Sequence, residues 1–363
     1  MELRILVLPG DGIGPEVTAE AVAVLGRVAD VFGHTLRTVY GLVGGAAIDA
    51  AGTPLPPETL AAANDADAVL LGAVGAPRFD SLPPERRPER GLLALRQALG
   101  TFANLRPSRA WPALLDASPL KNAIVEGTDL LIVRELTSGL YYGTPRGVSG
   151  SGPDERAVNT LTYSRAEIDR VARVAFDLAR ARRRRVTSVD KSNVLENSQL
   201  WRRVVVEVGA EYPDVALDHL FVDNCAMQLV LDPRRFDVVL TENLFGDILS
   251  DEAAVLSGSI GMLASASIGS RRPSGRRSGL YEPVHGSAPN LAGRNVANPL
   301  GAIGSAAALL GYTFELHEEA RAVERAVDEV VASGRLTGDL APAGRAVGTT
   351  DVGRAVRDAV RRA

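Results

Sequence analysis

Short apolar runs alternate with stretches of helical periodicity along almost the whole chain, and this alternation restricts the fold more than any other feature. The runs typical of strands are LRILVLP, TLRTVYG, ADAVLLGAVG, TDLLIVREL, RVTSVDKSNV, DVALDHLFVDN and FDVVLTENLFGD. A helix is predicted after the first run, from about Pro15 to Phe32, because proline suits a first helical turn. Strands that alternate with helices predict an α/β protein with helices layered on a sheet.

Composition is typical of a soluble globular protein. The 363 residues suffice for two domains or one large domain, with 46% apolar and 23% charged residues. A net charge of −4 argues against nucleic acid as the main partner. The four arginines at 182–185 follow a helical stretch and precede a strand, and we interpret them as structural because cations are favourable at a helix C-terminus.

The low cysteine content and the absence of signal-peptide and membrane-spanning patterns indicate the cellular compartment. Cys225 is the single cysteine, so no intrachain disulfide can form, as is usual in a reducing cytoplasm. No sequence neighbour stabilises its thiolate, and we interpret it as a structural thiol. No signal-peptide pattern follows Met1, and glycines interrupt the apolar runs before they reach bilayer length. We therefore expect a cytoplasmic protein without a membrane partner.

The stretch LVLPGDGIGPEV, residues 6–17, has the outline of a dinucleotide-binding turn. That fingerprint requires the spacing G-x-G-x-x-G and an acidic residue about 20 positions later, at the end of the second strand. Gly10, Gly12 and Gly14 are followed by Pro15, so the third glycine that the fingerprint requires is missing. Asp30 lies at about the right distance but on the predicted helix, and the second strand ends without an acidic residue. The sequence therefore predicts a strand-to-helix turn that is not a Rossmann site, and any cofactor binds elsewhere.

The segment TENLFGDILSDEAA, residues 241–254, follows the apolar strand FDVVL. If Gly246 opens a helix, Asp247 and Asp251 project from one face, where two like charges repel unless a cation lies between them. Mg²⁺ prefers oxygen ligands, and sites in α/β proteins lie at the carboxyl ends of strands. Taken alone, the two aspartates are more often a solvated acidic helix face than a metal site. The apolar strand before them makes the metal site more plausible, because it places them at the carboxyl end of a strand.

Three arginines in structured surroundings suggest a ligand with several carboxylates. Arg96 follows GLLAL, Arg106 lies in FANLRP, and Arg134 ends the run LLIVRE. A guanidinium at the end of a buried strand is costly without a partner, and it pairs with carboxylates in bidentate fashion. For any one of the three, a structural salt bridge is the commoner explanation.

Three further polar residues lie at or near strand ends. Lys191 in VTSVDKSNV is a candidate general base, Tyr141 in ELTSGLYYG is a candidate general acid, and Asp223 in FVDNCAMQLV is a candidate third metal carboxylate. Each signal is weak alone, because a lysine is usually solvated and a tyrosine usually packs in the interior.

The run YEPVHGSAPNLAGRNVANP, residues 281–299, is long for a loop in a compact domain, which favours a function. Its small residues allow a flat or phosphorylated ligand to approach the backbone. His285 is able to stack on a base or to hydrogen-bond to it. The alternative is an ordinary turn-rich loop.

Together these segments resemble the isocitrate/isopropylmalate dehydrogenases, the β-decarboxylating dehydrogenase family. The likeness extends from LPGDGIGPEV to RLTGDLA near residues 334–341, and NLFGDILSDEA and HGSAP are its most specific motifs. It implies two open three-layer α/β domains with a mixed sheet, not a Rossmann fold. The first domain would comprise residues 1–101 and 258–363 with most of the NAD site. The second, residues 102–257, would carry the dimer interface and the metal and substrate residues, beside a cleft that holds the active site.

The resemblance implies NAD-dependent oxidative decarboxylation of 3-isopropylmalate in leucine biosynthesis. Arg96, Arg106 and Arg134 would hold the substrate carboxylates. In the isopropylmalate branch of the family, apolar positions receive the isopropyl group, and the matching residues here are Leu92, Leu93 and Val194. Apolar contact discriminates by only about 1–3 kcal/mol per methylene, so other alkylmalates remain possible substrates.

The resemblance also implies a homodimer with shared active sites. Mg²⁺ or Mn²⁺ would be bound by Asp247 and Asp251 together with Asp223 of the partner subunit, which would also lie beside the substrate. Lys191 of the partner subunit would help to remove the hydroxyl proton, and Tyr141 would protonate the product enolate.

For the coenzyme, Glu89 would face the nicotinamide end of NAD. The adenosine half would be wrapped by residues from the last loop, namely His285, Gly286, Ser287, Ala288, Pro289, Asn290 and Asn298. Asn290 departs from the family, which has aspartate after HGSAP, and its missing charge predicts a weaker preference for NAD⁺ over NADP⁺. The arginine-rich stretch at 271–277 would either reach toward a 2′-phosphate or, more commonly for such loops, remain solvated.

Two other functions are compatible with the same family. One is a paralogue that acts on another 2-hydroxy acid, such as D-malate. The other is a non-catalytic subunit, which should lack some of the catalytic and metal-binding side chains, and all five of these are present in the sequence: Tyr141, Lys191, Asp223, Asp247 and Asp251.

Overall fold

A computed structural model describes residues 1–362. In chain order its helices and strands are β1 (Glu2–Gly10), α1 (Gly14–Phe32), β2 (Thr35–Tyr40), α2 (Gly44–Ala51), α3 (Pro57–Asp65), β3 (Ala68–Ala73), α4 (Pro88–Leu99), β4 (Thr101–Arg109), α5 (Asn122–Val125), β5 (Asp129–Glu135), β6 (Gly147–Ser149), β7 (Arg156–Val158), α6 (Arg165–Arg180), β8 (Arg185–Asp190), α7 (Glu196–Gly209), β9 (Ala216–Phe221), α8 (Val222–Leu231), β10 (Val238–Thr241), α9 (Asn243–Ala254), β11 (Ala264–Arg271), β12 (Arg277–Pro283), α10 (Leu300–Tyr312), α11 (His317–Ala332) and α12 (Thr349–Ala359). The predicted α/β alternation is confirmed.

The chain divides into two compact units. Unit 1 comprises Met1–Thr101, Ala110–Pro119 and the chain from Ser257 onward, and unit 2 comprises Phe102–Arg109 and Leu120–Leu256. The boundaries expected from the sequence differ in assigning residues 110–119 and 257 to the second domain.

The segment 110–119 is fastened to unit 1 by side-chain contacts that a sequence pattern does not reveal. The indole Nε1 of Trp111 donates to Oδ1 of Asp328 on α11 over 3.0 Å. Gly258 lies so close to Ala117 that an added Cβ would be 2.8 Å from its side chain. These contacts explain why the segment departs from unit 2 after β4.

Unit 1 contains five strands in the order β2-β1-β3-β12-β11. Neighbouring strands are parallel except for the antiparallel β11–β12 pair. Helices α1, α10, α11 and α12 pack against one another, and α2, α3 and α4 form a second group. On the α4 side, buried Leu6 and Leu8 of β1 lie in one apolar cluster with Leu95 and Leu99. Since strand side chains alternate between faces, the sheet is covered on both sides.

Unit 2 contains five strands in the order β4-β5-β10-β8-β9, antiparallel between β4 and β5 and parallel elsewhere. Every residue of β10 is buried, as expected for a central parallel strand. Helices α6 and α7 pack together, as do α8 and α9. Strands β6 and β7 form a separate antiparallel ribbon whose residues are exposed.

Several local predictions can be compared with the structure. Helix α6 ends at Arg180 and β8 begins at Arg185, so residues 182–184 of the basic run follow the helix instead of closing it, and Arg185 opens the strand. Helix α9 begins at Asn243, three residues before Gly246, so Asp247 and Asp251 both lie within it. The reason for this start is a cap, because the Glu242 carboxylate accepts the backbone N–H of Phe245 over 2.6 Å. Among residues 1–362, none of the helices combines the length and hydropathy that a bilayer-crossing segment needs.

Candidate active site

Helix α9 presents the two predicted metal carboxylates from unit 2. Asp247 and Asp251 are one helical turn apart, and their side chains are 34% and 67% exposed, so both are accessible to a ligand. Within residues 1–362, no three His, Cys, Asp or Glu side chains lie close enough together to bind one metal ion. A cation on this pair would therefore not find a third His, Cys, Asp or Glu ligand among the described residues of this chain.

Two of the three predicted arginines face this acidic pair. Arg106 on β4 donates to Oδ1 of Asp251 over 3.2 Å and lies 3.6 Å from Oδ1 of Asp247. Arg134, at the end of β5, is only 3% exposed and donates from Nη1 to Asp247. The carboxylates therefore compensate the charge of two guanidinium groups that β4 and β5 hold largely out of solvent.

Tyr141 completes this group. It ends a short 3₁₀ turn, Gly139–Tyr141, that follows β5, and its side chain is partly exposed. Its hydroxyl donates to Oδ2 of Asp247 over 2.7 Å. Burial, followed by the hydrogen bond to Asp247 and the charge of that carboxylate, raises the pKa of Tyr141 to about 12. We name these five residues the acidic–arginine cluster: Arg106, Arg134, Tyr141, Asp247 and Asp251.

Lys191 and Asp223 form a second pair in unit 2. Lys191 Nζ donates to Oδ1 of Asp223 over 2.5 Å, and this hydrogen bond lowers the pKa of the Asp223 carboxyl. Val194, three residues further on, is 61% exposed. Among the described residues, Asp223 does not lie with Asp247 and Asp251 in a group that could hold one metal ion. The three residues are exposed enough to meet a second protein chain.

In unit 1, Arg96 has a carboxylate partner of its own. Its Nη2 donates to Oε1 of Glu282 on β12 over 2.6 Å, and both side chains are largely buried. Its Nε atom is buried and has no hydrogen-bond partner. This is unusual, because most buried polar atoms are hydrogen-bonded. Arg96 therefore forms the structural salt bridge that the sequence left open, and it retains an unused donor.

Leu92 and Leu93 lie on α4, four and three residues before Arg96. Both are partly exposed, and Leu92 also packs against the apolar cluster of unit 1. Glu89 is exposed in the first turn of the same helix, where Oε1 would be 3.0 Å from a Cβ on Gly75. One helix thus carries all four predicted unit 1 residues outside the last loop.

The loop at residues 285–298 contains a buried, unsatisfied imidazole. His285 is 8% exposed, and Nδ1 contacts the carbonyl oxygen of Gly286 at 2.9 Å. Nε2 has no hydrogen-bond partner. Burial lowers the pKa of His285, so a neutral ring is favoured. An added Cβ on Gly286 would meet nothing within 4 Å, which leaves open space beside the ring. The loop thus has room and an unused polar atom for a ligand.

The turn between β1 and α1 is hydrogen-bonded to this loop. Ile13 donates its backbone N–H to the Ser287 carbonyl over 2.8 Å, and a Cβ on Gly12 would lie 1.9 Å from the same oxygen. Glu16 accepts the backbone N–H groups of Gly293 and Asn295. The turn therefore uses its groups to hold another loop, which explains why its glycines lack the spacing of a phosphate-binding fingerprint.

The remaining predicted coenzyme residues differ in accessibility. Ser287 and Asn298 are buried, and Asn298 donates to Oδ2 of Asp339 and accepts the backbone N–H of Leu300. Its amide is thus used to start α10. Ala288 is partly exposed, and Pro289 and Asn290 are exposed, so these three line the open side of the loop.

The arginines at 271–277 form ion pairs and hydrogen bonds within unit 1, where β11 and β12 form a hairpin. Arg271 pairs with Glu315, and Arg276 pairs with Asp67. Arg272 donates to the Ala66 carbonyl over 2.7 Å, and Arg277 donates to the Gly269 carbonyl over 3.3 Å. These side chains are structural tethers in the hairpin, which is the more ordinary of the two roles considered from the sequence.

Sequence reasoning missed the residues that orient the cluster. Asn104 and Asn243 accept hydrogen bonds from Arg106 and Arg134, and the Ser250 hydroxyl accepts from Arg106 Nη1 over 2.7 Å. Asn243 and Ser250 lie in the segment 241–254 that the sequence analysis singled out, but only its acidic residues were chosen. A polar residue next to a buried strand end was the available signal.

Comparison with known proteins gives consistent matches along the chain. A family model described as isocitrate/isopropylmalate dehydrogenase matches residues 4–356. The 3-isopropylmalate dehydrogenase of Halalkalibacterium halodurans is 56% identical over 99% of this chain and 97% of that protein. That of a Synechocystis species is 56% identical over 96% of each.

Solved structures agree with these matches. The crystal structure of isocitrate dehydrogenase from Methylococcus capsulatus is similar with a TM-score of 0.86 and 37% identity, over 99% of this chain and 100% of that one. The apo β-decarboxylating dehydrogenase of Thermococcus kodakarensis gives a TM-score of 0.79 and 38% identity, over 99% and 96% of the two chains.

Proposed function

The chain belongs to the isocitrate/isopropylmalate dehydrogenase family, and we propose that it catalyses NAD-dependent oxidative decarboxylation of (2R,3S)-3-isopropylmalate to 4-methyl-2-oxopentanoate and CO₂. The predicted reaction of leucine biosynthesis is supported by full-length similarity to enzymes of that name. The acidic–arginine cluster is the structural observation that carries the proposal. It places two cations, two carboxylates and a phenol around one helix end.

The arginines fit a dianionic substrate. Arg106, inside β4, and Arg134, near the end of β5, lie on neighbouring strands and present planar donors that match a carboxylate geometrically. In unit 1, Arg96 has a buried Nε without a partner. We propose that these three guanidinium groups bind the two substrate carboxylates, with Leu92, Leu93 and Val194 beside the isopropyl group.

The acidic pair fits a hard divalent cation such as Mg²⁺ or Mn²⁺. Asp247 and Asp251 supply accessible carboxylate oxygens from one helix face, and such ions commonly take further oxygens from substrate and water. A third protein ligand is proposed to be Asp223 of the partner subunit, since Asp223 in its own chain pairs with Lys191. When bound, the cation would polarise the C2 oxygen of the substrate.

The loop at 285–298 fits the adenosine half of NAD⁺, which when bound would accept the hydride lost from C2. His285 Nε2 is the unused polar atom there, and the open space beside Gly286 admits a flat ring. Ser287, Ala288, Pro289, Asn290 and Asn298 are proposed to shape that pocket. Glu89 is proposed to lie at the nicotinamide end.

Two side chains are proposed to move protons. Tyr141, like any tyrosine, is protonated at neutral pH, and its raised pKa of about 12 keeps it so; it is proposed to deliver that proton to the product enolate. Lys191 of the partner subunit is proposed to accept the substrate hydroxyl proton. In its own chain Lys191 donates a hydrogen bond to Asp223.

A homodimer is part of this proposal, as is a cytoplasmic location. The surface of unit 2 carries exposed apolar side chains on neighbouring helices, namely Met227, Val230 and Leu231 on α8 and Ile248 on α9. Exposed apolar patches of this kind commonly mark protein interfaces. A second copy bound at this surface would bring Lys191 and Asp223 into the partner's catalytic machinery.

One assay tests the proposal. The purified protein is incubated with 3-isopropylmalate, Mg²⁺ and NAD⁺, and formation of NADH is followed by absorbance, with release of 4-methyl-2-oxopentanoate measured separately. We expect metal-dependent turnover and stoichiometric keto acid. Turnover of D-malate or another alkylmalate at a higher kcat/KM would identify a paralogue instead. Absence of turnover with every 2-hydroxy acid in such a panel would contradict a dehydrogenase function.

A further inference from the structure

Asp11 lies in the turn between β1 and α1, and the proposed reaction gives its buried carboxylate no role. The residue is 6% exposed. Oδ2 accepts the backbone N–H groups of Gly45 and Gly75, each over 2.8 Å, and Oδ1 accepts that of Ala46 over 2.8 Å. Its own N–H donates to the Ala73 carbonyl over 2.8 Å. One buried side chain therefore joins the turn to the segments that follow β2 and β3.

At the start of α2 this carboxylate takes the place of a local capping side chain. The residue before the helix is Val43, which makes no side-chain cap. Gly45 and Ala46 lie in the first turn, where backbone N–H groups lack partners within the helix and a negative charge is favourable. A Cβ on Gly44 would be 2.6 Å from Oδ2 of Asp11, so a side chain there would displace the carboxylate. The start of α2 is therefore built to receive an acid from a distant turn.

Gly75 connects the same carboxylate to residues that are proposed to bind the coenzyme. It is buried and has φ +119°, and Asp11 accepts its N–H. A Cβ on Gly75 would be 3.0 Å from Oε1 of Glu89 and 3.9 Å from Oγ of Ser287. Gly75 thus borders both side chains, and the position of its backbone limits the space between them.

The turn also contacts the loop at 285–298, but through backbone groups. Ile13 donates its N–H to the Ser287 carbonyl, and Gly12 lies against the same oxygen. Neither contact uses the side chain of residue 11. The hydrogen bond from Gly75 does use that side chain, so a substitution at residue 11 removes one attachment and leaves the other in place.

We propose that Asp11 is a positioning residue for NAD⁺, which fixes the backbone at Gly75 and thereby the spacing of Glu89 and Ser287 beside the coenzyme. A carboxylate suits this role because its two oxygens accept three N–H groups at once, whereas an amide has a single acceptor oxygen. Asp11 itself is not proposed to contact the coenzyme. The inference rests on the proposed function, because Glu89 and Ser287 are taken to lie beside NAD⁺.

The test removes the carboxylate and measures coenzyme affinity directly. In Asp11→Ala the three backbone N–H groups lose this acceptor, and we expect the dissociation constant of NAD⁺, measured by calorimetry, to rise about tenfold or more because the pocket loses its support. The dissociation constant of Mn²⁺, whose proposed ligands lie on unit 2, should stay within about twofold. In the ligand-free protein, hydrogen exchange should become faster in peptides that contain residues 44–46 and 75.

Asp67→Ala is the matched control. Asp67 is 7% exposed and also accepts a backbone N–H, that of Arg4, over 3.3 Å. It precedes β3, whereas Gly75 follows the other end of that strand. Removal of this carboxylate should lower the thermal midpoint, because ion pairs with Arg4 and Arg276 are lost, but should leave the affinity for NAD⁺ unchanged.

A second variant provides the test if Asp11→Ala does not fold. Asp11→Asn keeps one acceptor oxygen but turns at least one of the three hydrogen bonds into a donor facing a donor. We expect its dissociation constant for NAD⁺ to rise by at least about threefold, since an unsatisfied buried donor is costly.

The possible outcomes point to different conclusions. If the folded alanine variant, or the asparagine variant in its place, binds NAD⁺ within about twofold of the wild type, the inference is overturned while the proposed function stands. Equal weakening of NAD⁺ binding by Asp67→Ala would overturn it as well, since loss of any buried carboxylate would then suffice. If the wild type neither binds NAD⁺ nor oxidises any 2-hydroxy acid, the proposed function fails and this inference fails with it.

Discussion

The hydroxyl of Tyr141 donates a hydrogen bond to Oδ2 of Asp247 over 2.7 Å, although the two residues are 106 positions apart. The same carboxylate pairs with Arg134 through its other oxygen. A proposed proton donor and a proposed metal ligand are thus directly coupled, and the ionisation of Tyr141 reports the charge of Asp247.

This coupling predicts an altered titration of Tyr141. Wild-type Tyr141 should ionise near pH 12, because burial and then Asp247 raise its pKa. Asp247→Asn should lower that pKa toward, but not to, the ordinary value of about 10, since burial remains. Ultraviolet difference titration, with Tyr141→Phe as the blank, measures it. An unchanged midpoint in Asp247→Asn would contradict the coupling.

The sign of the accompanying stability change follows from the raised pKa. Between about pH 10 and 12 the unfolded chain loses the Tyr141 proton before the folded protein does, so folding is progressively disfavoured as pH rises through that window. Below about pH 10 both states keep the proton, and Tyr141 contributes no pH dependence.

Metal affinity should depend on Asp251 specifically. We expect Asp251→Asn to weaken Mn²⁺ binding at least about tenfold, because one of two adjacent carboxylate ligands is lost. Glu252→Gln, on the same helix and next in sequence, removes an equal charge and is the matched control. Calorimetric titration of Mn²⁺ into each protein decides. Equal weakening by both substitutions would indicate a general charge effect instead of a site.

Coenzyme preference should respond to Asn290. We predict that the wild-type preference for NAD⁺ over NADP⁺ in kcat/KM is below about 100-fold, and that Asn290→Asp raises it about tenfold by repelling a 2′-phosphate. Arg271→Ala should leave the ratio unchanged, because Arg271 is committed to Glu315. A shift with Arg271→Ala, or a larger wild-type preference, would refute this prediction.

The oligomeric state should depend on the apolar surface of α8 and α9. Ile248 is 58% exposed, and Ile248→Glu should convert dimers to monomers by placing a charge in a buried interface. Val39→Glu is the control, since Val39 is equally exposed but lies on β2 of unit 1. Light scattering after gel filtration measures the mass. If Ile248→Glu remained dimeric, the dimer interface would have to lie on another surface.

Cys225 should be unreactive in the folded protein. It is fully buried, and burial raises the pKa of its thiol to about 12. Because the thiolate is the reactive form, we expect a thiol reagent at pH 8 to modify Cys225 only after denaturant unfolds the chain. The extent of labelling is measured by mass spectrometry. Rapid labelling of the native protein would contradict the prediction and would show that α8 opens in the folded state.

Part of this molecule could be predicted because the relevant interactions are local. The alternation of strand and helix patterns predicted the α/β fold, and the spacing of Asp247 and Asp251 placed both on one helix face. The start of α9 at Asn243 could not be predicted, because the Glu242 side chain caps the helix and no periodicity reports a cap. Family motifs suggested roles for single residues, which spacing alone left open and which stay predictions.

The remainder depends on residues far apart in sequence. Gly12 meets Ser287, Arg96 meets Glu282, and Arg134 meets Asn243, each across more than a hundred positions. A sequence reveals which side chains share a helix or strand face, since backbone geometry repeats within a few residues. It does not reveal which faces pack together. The tertiary structure alone therefore decided that Arg96 pairs with Glu282, while Arg106 and Arg134 pair with the carboxylates of α9 and also donate to neutral amides.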